Sequence, residues 1–255
     1  HSRSPAMHGA AFAALGLPHG YFAFHVVPAA LPAALAGARA LGFGGLNLTV
    51  PHKQAAVALM DALAPEAVRI GAVNTVCLEA GRLVGRNTDG PGFLAGLREL
   101  PGAEPTHAVV LGAGGAARAV VDALVHEARA EVGWVSRDPG GLPPGPWRPL
   151  GWDALAERLP AVDLLVNATT VGMSGGPAAF PVPVAVERLP AGARVVDLVY
   201  PAPTGGLVAA ARACGRAAQD GLPMLLWQGV RALEEWLAMS LDPAVVQAMR
   251  AAIGG

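Results

Sequence analysis

From residue 106 onward, short β-rich apolar runs alternate with stretches of helical pattern. Residues 107–111, 131–135, 163–167 and 194–198 read as strands, and residues 116–128 and 207–214 as helices. Strands alternating with helices predict a parallel sheet covered on both faces. The pattern before residue 90 is less regular. Ser4 followed by Pro5 marks a helix start, with the helix running to about Leu17. Residues 21–27 alternate and are rich in β formers, which predicts a strand. Residues 29–41 are helical by composition, and residues 46–48 form a short strand. The loop 49–52 leads into a helix starting near Lys53. Residues 73–79 and 82–87 flank Ala80-Gly81 as a hairpin. The Pro/Gly-rich segment 139–149 reads as a surface loop, and the last helices begin near Pro223.

The pattern predicts an α/β protein of two α/β lobes. The first covers residues 1–88, with the helices of 222–255 folding back onto it, and the second covers 89–221. A length of 255 residues suits two modest domains.

Composition narrows the function classes. The net charge is −1 with no long run of one sign, which argues against nucleic acid or a membrane surface as partner. Residues 10–38 carry no Asp, Glu, Lys or Arg, yet Pro18, Gly20, Pro28 and Pro32 break them, so no apolar span crosses a bilayer. No secretory signal is legible, and two cysteines, Cys77 and Cys214, are too few for a disulfide framework, which predicts a cytoplasmic setting. Hydrophobic residues make up 53% of the chain, ample for a packed core. Lys53 is the only lysine, the other 17 basic residues being arginine. Arginine replaces lysine as a surface charge but does not give up a proton near neutral pH, so a lone lysine in such a chain points to proton chemistry. Asn occurs only at 47, 74, 87 and 167, and Tyr only at 21 and 200.

The run from Val109 to Arg118, with Gly112-Ala113-Gly114-Gly115-Ala116-Ala117 at its centre, lies between a predicted strand and a predicted helix. That is the setting of a dinucleotide-binding fingerprint. Gly112 permits the tight turn, Gly114 lets backbone approach a pyrophosphate, and Ala117 takes the third place. The free N–H groups of the helix start favour the phosphates. The next strand ends in Ser136-Arg137-Asp138. Ser136 stands where an NAD enzyme places an acid, and Arg137 can pair with a 2′-phosphate, which favours NADP. Asp138 would repel that phosphate unless it pairs with Arg137, so NAD use stays open.

Several short polar motifs remain: Ser2-Arg3-Ser4-Pro5, Asn47 to Lys53, Gly71 to Thr75, Asn87 to Gly90, Asp197 to Tyr200 and Gly221 to Gln228. Each has a plain structural reading: Ser4 as a helix N-cap, Asn74 and Asn87 in turns, Asp89 capping a helix, His52 solvated in a loop, Tyr200 packed, Gln228 exposed. Together they supply hydroxyls, carboxamides, one ammonium and one carboxylate, which suits a small polyhydroxy acid. Nothing among them suggests a metal site.

In order, S-x-S-P, N-L-T-V-P-H-K, G-A-V-N-T, N-T-D-G, G-A-G-G-A-A-R, N-A-T-T-V-G-M, D-L-V-Y and G-x-x-M-L-x-x-Q resemble the motif set of shikimate dehydrogenases and cover nearly the whole chain. The resemblance implies an N-terminal substrate-binding domain and a Rossmann-type NADP-binding domain, with the substrate in the cleft between them. It implies that Ser2, Ser4, Asn47, Thr49, Asn74, Tyr200 and Gln228 surround shikimate, with Lys53 and Asp89 as the catalytic pair. It further implies that Gly112, Ala113, Gly114, Gly115, Ala116, Ser136, Arg137, Thr169 and Gly221 line the cofactor, with Met224 near the nicotinamide. The implied reaction is reversible NADPH-dependent reduction of 3-dehydroshikimate to shikimate, in chorismate and aromatic amino acid biosynthesis. Members of the family carry a strand ahead of the S-x-S motif, and this sequence opens at His1 after it. The family's Asn-Arg-Thr at the 2′-phosphate reads Ser136-Arg137-Asp138 here, so an NAD-using quinate/shikimate dehydrogenase is the alternative enzyme. A non-catalytic dinucleotide sensor is the alternative from another class, and a homodimer stays open.

Overall fold

The computed structural model describes residues 2–254. In chain order its elements are α1 (Ser4–Ala14), α2 (Leu31–Ala40), β1 (Gly45–Asn47), α3 (His52–Ala55), β2 (Ala62–Leu63), α4 (Pro65–Ile70), β3 (Thr75–Glu79), β4 (Arg82–Arg86) and α5 (Asp89–Leu97). They continue with β5 (His107–Leu111), α6 (Gly115–His126), β6 (Glu131–Val135), β7 (Arg148–Leu150), α7 (Leu155–Arg158), β8 (Leu164–Asn167), β9 (Arg194–Asp197), α8 (Leu207–Ala213), β10 (Ala217–Gln219), α9 (Leu222–Leu237) and α10 (Pro243–Ala252). The chain divides into two compact units, His1–Gly92 with Leu225–Gly255, and Phe93–Met224.

The first unit holds a four-stranded sheet in the order β1-β3-β4-β2. β3 and β4 form the antiparallel hairpin read from the pattern, with Leu78 opposite Leu83. Its turn puts both Ala80 (φ 50) and Gly81 (φ 77) in left-handed backbone, the tight-turn geometry whose twist matches the strands. Leu31 and Leu35 of α2 and Ala67 of α4 bury themselves with Val73, Val76 and Leu83 of the sheet region. α1 packs on α10. Trp236 of α9 donates its indole N–H to the Val76 carbonyl at 3.1 Å. A Cβ at Gly45 would meet that indole nitrogen at 2.2 Å, so only glycine lets the ring lie on β1.

Residues 21–27 are not a strand. A strand needs a partner for its backbone groups, and residues 21–27 form no ladder with any strand of the four-stranded sheet, whose edge strand β1 is bonded to β3 alone. The segment is tied instead at two points, through Tyr21 to Asn47 and through the Val26 carbonyl to His52. Phe22, Phe24 and Val27 are consequently exposed. His52 is therefore not a solvated loop residue but a buried anchor, its Nε2 lying 2.9 Å from that carbonyl. The helix N-cap is Arg3, Ser4 being the first helical residue.

His8 of α1 is fully buried in this unit, stacked on Tyr21 with ring centroids 4.3 Å apart. Burial pushes its pKa from 6.5 down to about 4. The folded value lies below the unfolded one, so the stabilisation is complete above pH 6.5 and is lost as pH falls towards 4. Folding stability is expected to fall by on the order of 3 kcal/mol from this residue alone across that window. Denaturant titrations at pH 7 and pH 4.5 should show a smaller loss in His8→Phe than in the unaltered protein.

The second unit is a six-stranded, all-parallel sheet in the order β10-β9-β8-β5-β6-β7. Alternate residues of one strand face opposite layers. Val110, Trp134 and Val166 pack with Val120, Val121 and Leu124 of α6, while Val109, Val135 and Leu165 pack with Leu207 and Ala211 of α8. Such buried aliphatic side chains contribute about 1.5–3 kcal/mol each. The order reverses between β5 and β8, the switch point beyond whose carboxyl ends open α/β sheets bind ligands. Segment 139–149 is not wholly loop. β7 pairs in parallel with β6 at the sheet edge, where Pro149 costs no inward ladder bond. Among the described residues no helix is long and apolar enough to cross a membrane, and no cluster of His, Cys, Asp or Glu could hold a metal.

Candidate active site

Lys53 lies in the single turn of α3, and Asp89 is the first residue of α5. Two backbone connections bring them together: the Lys53 carbonyl accepts the Val73 N–H at 2.8 Å, and the Asn74 N–H binds the Arg86 carbonyl at 3.2 Å. The side chains meet with Lys53 Nζ 2.6 Å from Asp89 Oδ2. Only 12% of the lysine side chain and 4% of the aspartate side chain are exposed, so this is a buried, charge-assisted contact rather than a screened surface pair. One lysine N–H is used on Asp89, which leaves donors for a ligand oxygen.

The second carboxylate oxygen, Oδ1, accepts from Asn74 Nδ2 at 2.9 Å. Asn74 Oδ1 accepts the Thr88 N–H at 2.7 Å, and Asn87 Oδ1 accepts the Asp89 N–H at 3.1 Å. Asn87 Nδ2 reaches the Ala72 carbonyl at 2.9 Å. Asn74 and Asn87 thus lock the turn that aims Asp89. Gln228 of α9 sets its Oε1 3.4 Å from Asn74 Nδ2, and its own amide is held by the Leu225 carbonyl at 2.8 Å. Asn47 joins through Thr75, its Nδ2 lying 3.1 Å from Thr75 Oγ1.

Five of the nine residues expected around the substrate therefore share one hydrogen-bonded network: Lys53, Asp89, Asn74, Gln228 and Asn47. Ser2 and Ser4 stand at the start of α1, where Ser2 Oγ accepts the Ser4 N–H at 3.3 Å, and exposed Thr49 lies in the loop before α3. None of these three has a side-chain bond to the network among the described residues. Tyr200 belongs to the second unit, half-buried, with its ring 3.1 Å from where a Cβ on Gly221 would stand. That same Cβ would lie 2.2 Å from the Leu198 carbonyl, so position 221 admits glycine alone. Met224 is buried in the second unit's core with Phe93 and Leu97. Thr75 and Thr88 were not singled out from the sequence. Their hydroxyls lie 3.0 Å apart between the two asparagines, and only their place inside two already noted motifs hinted at it.

At the end of β5, Gly112 adopts φ +110, and a Cβ there would lie 2.9 Å from the Ala168 carbonyl oxygen. Gly114 is the N-cap of α6 and has no side chain to satisfy the first-turn N–H groups. Among the described residues, chain neighbours aside, nothing lies within 4 Å of the position its Cβ would take, which leaves backbone open to an anion at a helix N-terminus. Ala113 and Gly114 are exposed, Ala116 is half-buried, and Gly115 and Ala117 pack inward. The switch point's other side is built by Thr169, whose Oγ1 bonds Asn167 Oδ1 at 2.7 Å. Asn167 Nδ2 is in turn held by buried Asp197 at 2.8 Å, whose carboxyl burial pushes up against the pull of its hydrogen bonds. This cradle fits the pyrophosphate of a dinucleotide.

At the end of β6, Ser136 is buried and its Oγ accepts the Asp138 N–H at 3.1 Å. The Asp138 carboxylate turns into its own bend, accepting the Gly141 N–H at 3.1 Å. It forms no ion pair with Arg137 among the described residues. Arg137 stays exposed, its guanidinium uncommitted to Asp138.

Residues 1–76 match the model of the shikimate dehydrogenase substrate binding domain. A shikimate dehydrogenase (NADP(+)) of Methylobacterium radiotolerans is 47% identical over 249 residues, covering 92% of this chain and 87% of its own length. The crystal structure of shikimate dehydrogenase from Aquifex aeolicus superposes with a TM-score of 0.87 at 33% identity, covering 100% of this chain and 94% of that one. That of Thermus thermophilus shikimate 5-dehydrogenase, in complex with NADP(H) and shikimate, gives 0.81 at 43% identity over 99% and 95%. A buried ammonium–carboxylate pair in one unit, a glycine cradle in the other and likeness along the whole chain lead to one assignment: the chain belongs to the shikimate dehydrogenase family.

Proposed function

We propose that the chain is an NADP-dependent shikimate dehydrogenase, reversibly reducing 3-dehydroshikimate to shikimate in the route to chorismate and the aromatic amino acids. The first unit would bind the substrate and the second the dinucleotide. The observation that carries the reading is the 2.6 Å contact between Lys53 and Asp89 in a buried amide-rich network. When bound, NADPH supplies a hydride to the carbonyl carbon. As charge builds on the carbonyl oxygen, the Lys53 ammonium stabilises it and delivers the proton that completes the alcohol. Asp89 keeps the ammonium in place through Oδ2 and accepts a substrate hydroxyl, while Asn74 fixes the carboxylate through Oδ1. Gln228 and Asn47 offer further polar atoms to a polyhydroxy acid. A non-catalytic sensor has no use for such a pair.

Arg137 would take the 2′-phosphate, since Asp138 is engaged with Gly141. The test is kcat/KM for NADPH and NADH, with shikimate and quinate as the reverse substrates, in the unaltered protein and in Arg137→Ala. Loss of one charge-assisted contact should lower the NADPH preference by about 30-fold. An unchanged ratio would remove Arg137 from the cofactor site, and equal use of quinate with NAD would favour the quinate/shikimate alternative.

A further inference from the structure

Tyr21 and Tyr200 are the chain's two tyrosines, and Tyr21 is followed closely by two phenylalanines, Phe22 and Phe24. Packing alone would be served by a third phenylalanine, so the hydroxyl calls for an explanation. The Tyr21 ring stacks on His8 with an interplanar angle of 11° and tilts against Trp236 at 6.3 Å. Held in this way, its Oη donates to Asn47 Oδ1 at 3.0 Å. Asn47 Nδ2 donates to Thr75 Oγ1 at 3.1 Å and to the Asn74 carbonyl at 3.3 Å. Thr75 Oγ1 spends its own proton on Asn74 Oδ1 at 2.9 Å, so it must accept from Asn47. Turning the amide over would set Oδ1 against a carbonyl oxygen and the NH2 group against the tyrosine hydroxyl.

We propose that Tyr21 is a positioning residue for substrate recognition, its hydroxyl fixing the Asn47 amide so that the remaining lone pair of Oδ1 faces the substrate as an acceptor. Both N–H groups of Asn47 are used inside the protein, so what Asn47 reads is a hydroxyl proton of the ligand, not a carbonyl or carboxylate oxygen. This deepens the proposed function and rests on its placing of Asn47 at the substrate.

Tyr21→Phe removes the hydroxyl alone and keeps the ring stack. The inference expects KM for shikimate to rise about fivefold, the loss of one neutral hydrogen bond's worth of orientation. It expects kcat, KM for NADP and the melting temperature to stay near their original values, which a merely structural role would not produce. In an Asn47→Ala background, the same Tyr21→Phe change should have no further effect, because the group it orients is gone. An unchanged KM in Tyr21→Phe, beside a raised KM in Asn47→Ala, would overturn the inference alone. Effects that add in the double variant would overturn it too. An unchanged KM in Asn47→Ala would remove Asn47 from the substrate site, and the inference with it.

Discussion

Replacing Lys53 by alanine is expected to lower kcat by about a thousandfold while shikimate and NADP still bind. The size follows from the proposed role, one positioned acid that would both stabilise the developing oxyanion and give the proton. No second lysine exists in the chain to stand in for it. Removing the ammonium also strips Asp89 Oδ2 of its partner at a carboxylate only 4% exposed, so some loss of stability should accompany the kinetic loss. Asn74 still serves Oδ1, which keeps that loss below what an isolated buried charge would cost. Circular dichroism and a thermal melt separate the two effects. Lys53→Arg sharpens the test, because arginine keeps the positive charge but holds its proton near neutral pH. It should recover the melting temperature and not the turnover.

Asp89→Asn is the second large effect, expected to lower kcat by about a hundredfold. The change is isosteric, so the turn held by Asn87 and Asn74 should survive. What disappears is the anion that steadies the ammonium. A carboxamide with its NH2 group towards Lys53 would push the ammonium away from its 2.6 Å position. The double variant Lys53→Ala with Asp89→Asn should be no slower than Lys53→Ala alone, since the two side chains act as one unit. Steady-state rates for the four proteins of this cycle decide it: multiplicative losses would mean that the residues act separately.

The parallel sheet was legible because residues 108–111, 132–135 and 164–166 of its central strands are apolar runs, each followed by glycine or a polar residue. Residues 107–111 and 131–135 match β5 and β6 residue for residue. The strands left unread are short and lie at the edges. β2, β7 and β10 have two or three residues each, too few for any period to appear. α4 has six residues, under two turns, and in the nine-residue α5 Gly90, Pro91, Gly92 and Gly96 hide the helical pattern. Residues 21–27 misled for the opposite reason. Their alternation is real, but a strand is a property of two segments, and local pattern does not supply a partner.

The site was legible at its rare residues. Lys53 stood out against a background of arginine, and the asparagines at 47, 74 and 87 all entered the network around Asp89. Thr75 and Thr88 were hidden because threonine is unremarkable beside a strand, and their function lies in relaying bonds between asparagines. The sequence places Ser136 at the cofactor side, where an NAD enzyme has an acid. In the structure Ser136 is buried and its hydroxyl caps the bend that carries Asp138, while Arg137 beside it is exposed.

Nicotinamide absorbance, followed after mixing the unaltered protein with shikimate and NADP, bears most directly on the claim that this amine and acid carry the proton chemistry of a reversible hydride transfer between substrate and nicotinamide. Steady formation of NADPH, abolished in Lys53→Ala protein that still binds both ligands, is the expected result. Firm binding of NADP with no reduction by the unaltered protein, or reduction that continues undiminished without the Lys53 amine, would contradict it.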